Sequence, residues 1–220
     1  LRLQDGVTPH RESHMARMRL AAAHFGMPWD IARLHAALDA LAQKHPAGRW
    51  RVRLLLDARG DARCEAFALP ADPPQVRLQL ADRVFAQAHS EFTRFKTTRR
   101  AHYDAFTPAD PAVFDTILWN EDGYVTEGTR GNIAVLRDGV WTTPPAACGL
   151  LAGVGRARYL AQGRITEGLI RVEDLENAQG LAFINSLRGW IGSVFSAFFC
   201  VEGIQSASKR FDPQKRIFLT

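Results

Sequence analysis

The chain has 220 residues, 46% of them hydrophobic and 23% charged, with a formal net charge of +5 and a pI of about 9.5. That is globular composition with room for one large domain or two small ones, and it leaves no place for a low-complexity chain. The basic excess suits anionic small molecules. The arginines are scattered rather than blocked, which argues against nucleic-acid binding.

Leu1–Thr8 alternates and turns at Asp5-Gly6, as the end of a hairpin does. Opening at Leu1 rather than Met, inside a strand, the sequence reads as one whose true N-terminus is missing or disordered, or as part of a longer chain. Ser13 has the chemistry of an N-cap, followed at helical spacing by Met15, Met18, Ala22 and Phe25. Gly26 and Pro28 end that helix, and Asp30 starts another with Ile31, Leu34, Leu38 and Leu41 on one face. Trp50–Leu56 and Arg63–Leu69 read as strands joined by a turn at Asp57–Asp61.

Pro70-Ala71-Asp72-Pro73-Pro74 can continue neither a helix nor a central strand. It is expected to link a small α/β unit, residues 1–70, to a larger one, residues 76–220. The second unit begins at Val76–Val84. Strands are expected at Thr116–Asn120, Asn132–Leu136, Val140–Thr142 and Gly180–Ile184, with turns at Glu121-Asp122-Gly123 and Asp138-Gly139. Helices are expected near Gly155–Gln162 and Val172–Asn177. Cys64, Cys148 and Cys200 form no CxxC pair, which fits a reduced, cytoplasmic protein. No stretch has the length of a membrane span or the form of a signal peptide.

Four segments carry potential chemistry. In Phe95-Lys96-Thr97-Thr98-Arg99-Arg100 a lone lysine lies beside two arginines, which help lower an amine pKa if the segment is buried. By itself the segment reads better as a basic surface loop. Glu127, in Val125-Thr126-Glu127-Gly128-Thr129-Arg130-Gly131-Asn132, lies between a tight turn and a strand. If it points inward it needs a cation or hydrogen-bond donor, and a protonated pyridine nitrogen is one such partner. Gly149-Leu150-Leu151-Ala152-Gly153-Val154-Gly155-Arg156 opens a helix, where backbone N–H groups can hold phosphate, and reads equally as a glycine-rich turn. Phe183-Ile184-Asn185-Ser186-Leu187-Arg188-Gly189-Trp190 runs from a strand into polar residues that either hold phosphate or merely cap the strand.

Taken in this order and spacing, together with His14-Met15-Ala16-Arg17-Met18, these segments closely resemble the fold-type IV enzymes that use pyridoxal 5′-phosphate (PLP). The resemblance covers nearly the whole chain and is strongest from Phe95 to Trp190. It implies an α+β, two-domain enzyme with the cofactor in the cleft between the domains. It implies that Lys96 carries PLP as a Schiff base and moves protons, and that Glu127 keeps the pyridine nitrogen protonated. Arg17, Val154, Gly155, Ser186 and Leu187 would hold the phosphate, the last two through hydroxyl and backbone. Arg100 and Asn132 match positions near the cofactor. Relatives carry a tyrosine five residues after the lysine; Ala101 holds that place here, and Tyr103 receives no role.

Within the family, Lys96-Thr97-Thr98-Arg99-Arg100-Ala101-His102-Tyr103-Asp104 with Asn185-Ser186-Leu187-Arg188-Gly189-Trp190 looks most like 4-amino-4-deoxychorismate lyase, alone or fused to a synthase. That activity would release pyruvate and 4-aminobenzoate. The alternative is an aminotransferase for branched-chain or D-amino acids, and a more distant one is a non-catalytic basic binding domain. The expected partners are an anionic small molecule and a second copy of the chain in a homodimer, with no nucleic acid, membrane or metal.

Overall fold

In a computed structural model, residues 1–196 are described. Residues 197–220, the end of the expected second unit and Cys200 among them, lie outside that range. The elements run β1 (Arg2–Gln4), α1 (Arg11–His24), α2 (Ile31–Lys44), β2 (Arg49–Leu56) and β3 (Ala62–Ala68). After the proline-rich segment come β4 (Gln75–Leu80), α3 (Glu91–Arg94), α4 (Ala101–Asp104), β5 (Asp115–Trp119), β6 (Val125–Gly128), β7 (Asn132–Arg137) and β8 (Val140–Thr143). Then follow α5 (Val154–Ala161), β9 (Thr166–Glu167), β10 (Gly180–Asn185) and β11 (Gly189–Ser196). The fold is mixed α+β.

The first five elements form one layered unit. β1, β2 and β3 make an antiparallel sheet, and α1 and α2 cover it. Alternate residues of β2, namely Val52, Leu54 and Leu56, point into the core, as the two-residue period of a strand requires. They meet Met15, Met18 and Ala22 from α1 and Leu34 and Leu38 from α2. Each such fully buried large side chain contributes about 1.5–3 kcal/mol. Asp30 caps α2 by accepting the Arg33 N–H at 3.1 Å. The α1 cap is His10, in the left-handed region at φ 58°, so the helix starts before Ser13. Ser13 lies exposed in the first turn, where its hydroxyl competes with nothing that the backbone needs.

The other strands form a single eight-stranded sheet in the order β6-β5-β4-β11-β10-β7-β8-β9. β11 pairs parallel with β4 and antiparallel with β10, so it forms the seam between an early and a late group of strands. One face packs Leu78, Ile117, Ile133, Val135 and Phe183 together; Ala134, Ala182 and Ile184 face Tyr159 of α5 on the other. The segment expected as a helix near Val172–Asn177 is a 3₁₀ turn at Val172–Leu175. Among the described residues no helix is long and apolar enough to cross a membrane.

Candidate active site

Lys96 follows the short α3 and is fixed from both sides. Phe95 stacks on His24 of α1, with ring centroids 4.3 Å apart, and meets Phe25 edge-on. Thr97 is buried, and its Oγ1 accepts the Arg99 N–H at 3.2 Å. With its neighbours packed away, Lys96 lines a cavity of about 800 Å³. Burial, then the charges of Arg17 and Arg100, lower its amine from the ordinary 10.5 to about 7, against the pull of Glu127. The amine is therefore available as a nucleophile near neutral pH, which an exposed lysine is not.

Glu127 lies in β6, a strand that the sequence pattern did not reveal, and lines the same cavity. Its carboxylate Oε1 accepts the Tyr103 hydroxyl at 2.6 Å and the Leu151 N–H at 3.1 Å. Burial raises its pKa from 4.5 to about 8, against hydrogen bonds from Tyr103 and Leu151 and the charges of Lys96 and Arg100. The turn after Glu127 is held by Asp115, fully buried, which accepts the Arg130 N–H at 3.0 Å and the Thr129 hydroxyl. Arg100 donates to the Thr129 carbonyl at 2.6 Å and closes that turn from the cavity side.

Arg17 projects from α1 into the cavity and makes no hydrogen bond or ion pair among the described residues. Burial lowers its pKa to about 10, so it remains a cation without a counter-charge. Val154, Ser186 and Leu187 line the cavity too. Gly155 stands behind them: a Cβ there would lie 2.6 Å from the Asn185 carbonyl carbon and 2.9 Å from the Ser186 nitrogen. Only glycine lets the start of α5 approach the turn at 185–187 so closely. The first N–H groups of α5, those of Val154 and Gly155, have no intrahelical acceptor. The Leu187 N–H is engaged by Asn185 Oδ1 at 3.1 Å, which shapes the turn instead of serving the cavity. Asn132 braces the segment leading into α5 by donating to the Leu151 carbonyl at 2.9 Å.

All the site residues read from the sequence thus converge on one cavity, with Gly155 packed just behind its wall. Tyr103, Leu151 and Asp115 were missed. Nothing local marks them, because each acts on a residue far away in the chain. The set fits PLP: a nucleophilic amine, a carboxyl with an oxygen left for a ring nitrogen, and an unpaired arginine facing a helix start where phosphate is held. The wider lining is cationic, with Arg51, Arg53, Arg130 and Arg188 joining Arg17, Lys96 and Arg100 against Asp104, Asp110 and Glu127.

Comparison with known proteins agrees. The amino-transferase class IV family model matches residues 1–193. A Schizosaccharomyces pombe protein named "Putative aminodeoxychorismate lyase" is 29% identical over 196 residues, 84% of each chain. A solved structure titled "Putative amino-acid aminotransferase" from Mesorhizobium loti is 33% identical, with a TM-score of 0.82, over 89% of this chain and 97% of that one. The fold is also shared, at a TM-score of 0.74 and 22% identity, with the PLP-bound form of a hypothetical aminotransferase from Mycobacterium tuberculosis, over 88% of this chain and 78% of that one. The chain belongs to the class IV aminotransferase family of PLP-dependent enzymes, which includes the aminodeoxychorismate lyases.

Proposed function

We propose that this protein binds PLP and acts as a 4-amino-4-deoxychorismate lyase, releasing pyruvate and 4-aminobenzoate. The observation that carries the reading is the pairing of Lys96, whose amine titrates near 7, with buried Glu127 across a cavity rich in arginine. A substrate with two carboxylates suits that lining. When bound, PLP supplies an electron sink next to the substrate nitrogen.

The chain's own residues do the rest. Arg17 and the first N–H groups of α5 would hold the phosphate, with the Ser186 hydroxyl beside them. Glu127 Oε2 would hold the proton of the ring nitrogen. Lys96 Nζ would carry the covalent link to the cofactor and, when free, would take the proton that the substrate ring loses as it becomes aromatic. The carbon–oxygen bond to the enolpyruvyl group would break with its electron pair leaving on oxygen, and the departing enolate would take up the proton gained by Lys96 to become pyruvate. One substrate molecule divides into the two products with no co-substrate. Val113, Phe114 and Leu151 add apolar wall to the same cavity.

The similarity to the Schizosaccharomyces pombe protein supports the lyase. The higher identity to the Mesorhizobium loti structure favours a second reading, an amino-acid aminotransferase using the same lysine and carboxylate. The two differ in the fate of nitrogen. Purified protein is loaded with PLP, followed by absorbance, and given aminodeoxychorismate without a keto acid. Sustained release of pyruvate and 4-aminobenzoate supports the lyase. A single turnover that resumes only on addition of a keto acid supports the aminotransferase. The same reading takes the protein as a cytoplasmic homodimer, tested in solution by light scattering.

A further inference from the structure

Glu127 is held through one oxygen. Oε1 accepts two hydrogen bonds, from Tyr103 at 2.6 Å and Leu151 N–H at 3.1 Å, and Oε2 accepts none among the described residues. A backbone N–H can only donate, so Oε1 stays an acceptor whether or not the carboxyl is charged. The tyrosine hydroxyl takes its remaining capacity. A proton on Glu127 therefore resides on Oε2, the oxygen left for the cavity.

Tyr103 is well built for that task. It is 5% exposed, its ring stacks on Phe85 with centroids 5.3 Å apart, and the Arg100 guanidinium lies over the ring, 4.6 Å from its centroid. Burial and the nearby Glu127 carboxylate push the hydroxyl's pKa well up, so it remains a donor at any working pH. From these contacts we infer that Tyr103 is a positioning residue: with the Leu151 N–H it saturates Glu127 Oε1 and aims Oε2 at the ring nitrogen of the cofactor. The inference rests on the PLP reading given above.

The test is Tyr103→Phe, which keeps the ring and removes only the hydroxyl, with 3-fluorotyrosine at the same position as a stronger donor of similar size. In the ligand-free protein, Glu127 is titrated by carbon-13 NMR, its signal assigned by its loss in Glu127→Gln. Losing a hydrogen bond to the ionised carboxylate raises the Glu127 midpoint by about one pH unit in Tyr103→Phe, and 3-fluorotyrosine lowers it. With PLP loaded, Tyr103→Phe keeps the absorbance of the Lys96-bound cofactor, and kcat falls about tenfold with KM nearly unchanged. A Glu127 midpoint that moves in neither variant overturns the inference, as does an unchanged kcat. The wild-type spectrum is read first: no PLP uptake there overturns the functional reading itself, before any variant is compared.

Discussion

Asp72 Oδ1 accepts a hydrogen bond from Arg188 Nη1 at 2.8 Å, and its other oxygen pairs with Arg49. Arg49 opens β2 in the small sheet, and Arg188 follows β10 in the large one. A carboxylate in the proline-rich segment therefore fastens both sheets, directly beside the turn that borders the cavity. Partial burial opposes ionisation of Asp72, but the hydrogen bonds from Arg49 and Arg188 prevail and hold its carboxyl below the usual range. A depressed pKa contributes stability above the ordinary carboxylate range and loses it as the pH falls through the folded value. Asp72→Asn is expected to cost about 1 kcal/mol at neutral pH, discounted for solvent screening, in urea denaturation. Its difference from the wild type should vanish in acid.

Lys96→Met removes the only lysine that lines the cavity among the described residues and should abolish the absorbance of bound PLP and all turnover. In the wild type, cofactor uptake should increase as the pH rises through about 7, where the amine loses its proton. The folded pKa lies below the ordinary 10.5, so the folded state binds this proton less well than the unfolded chain. The resulting penalty is largest below the folded value and fades as the pH rises towards the unfolded one. The ligand-free methionine variant should accordingly melt at a higher temperature than the wild type at pH 7, with the gap closing in alkali. Calorimetry across pH checks both.

Glu127→Gln preserves the shape of the carboxyl and should preserve PLP uptake while lowering kcat by about 100-fold or more, since ring protonation is no longer supported. The folded pKa of Glu127 is raised from 4.5 to about 8, so the folded protein binds this proton more tightly than the unfolded chain. Stability of the ligand-free protein from this group is full below the unfolded value and is lost as the pH rises through about 8. The glutamine variant should flatten that decline, which thermal melts of ligand-free protein at pH 6 and at pH 9 would register.

Gly155→Ala places a methyl group 2.6 Å from the Asn185 carbonyl carbon, closer than atoms can approach. Either α5 or the turn at 185–187 must shift, at about 1–3 kcal/mol. The groups proposed to hold phosphate separate with it. Affinity for inorganic phosphate and for PLP, measured by calorimetry, should fall together, while the Lys96 amine keeps its titration.

The small unit was nearly all legible, because Asp30, the alternation in β2 and the paired prolines are local signals. That Lys96, Glu127 and Arg17 share one cavity was legible only in their order and spacing along the chain, which carry the family resemblance; taken alone, the Lys96 segment reads as a surface loop. β6 escaped because Thr126-Glu127-Gly128 carries no apolar alternation; its strand exists through pairing with β5 and the anchoring of the following turn by Asp115. β11 escaped because Gly192 and Ser193 interrupt its apolar run, and its place is set by two neighbours distant in sequence. Tyr103 escaped because a contact with Glu127 has no local signature at all. His10 displaced Ser13 as the cap because a left-handed residue ended the preceding turn first.

The seam at β11 also orders events in time. β4 at Gln75–Leu80 can pair parallel with β5 but must wait for Gly189–Ser196 before its second parallel partner exists, and Glu127 belongs to the strands on one flank while the turn at 185–187 belongs to the other. Contacts of such long reach form slowly. As the chain leaves the ribosome, its first unit can settle early, but Lys96, Glu127 and the turn at 185–187 face one another only when this late strand is zipped into place.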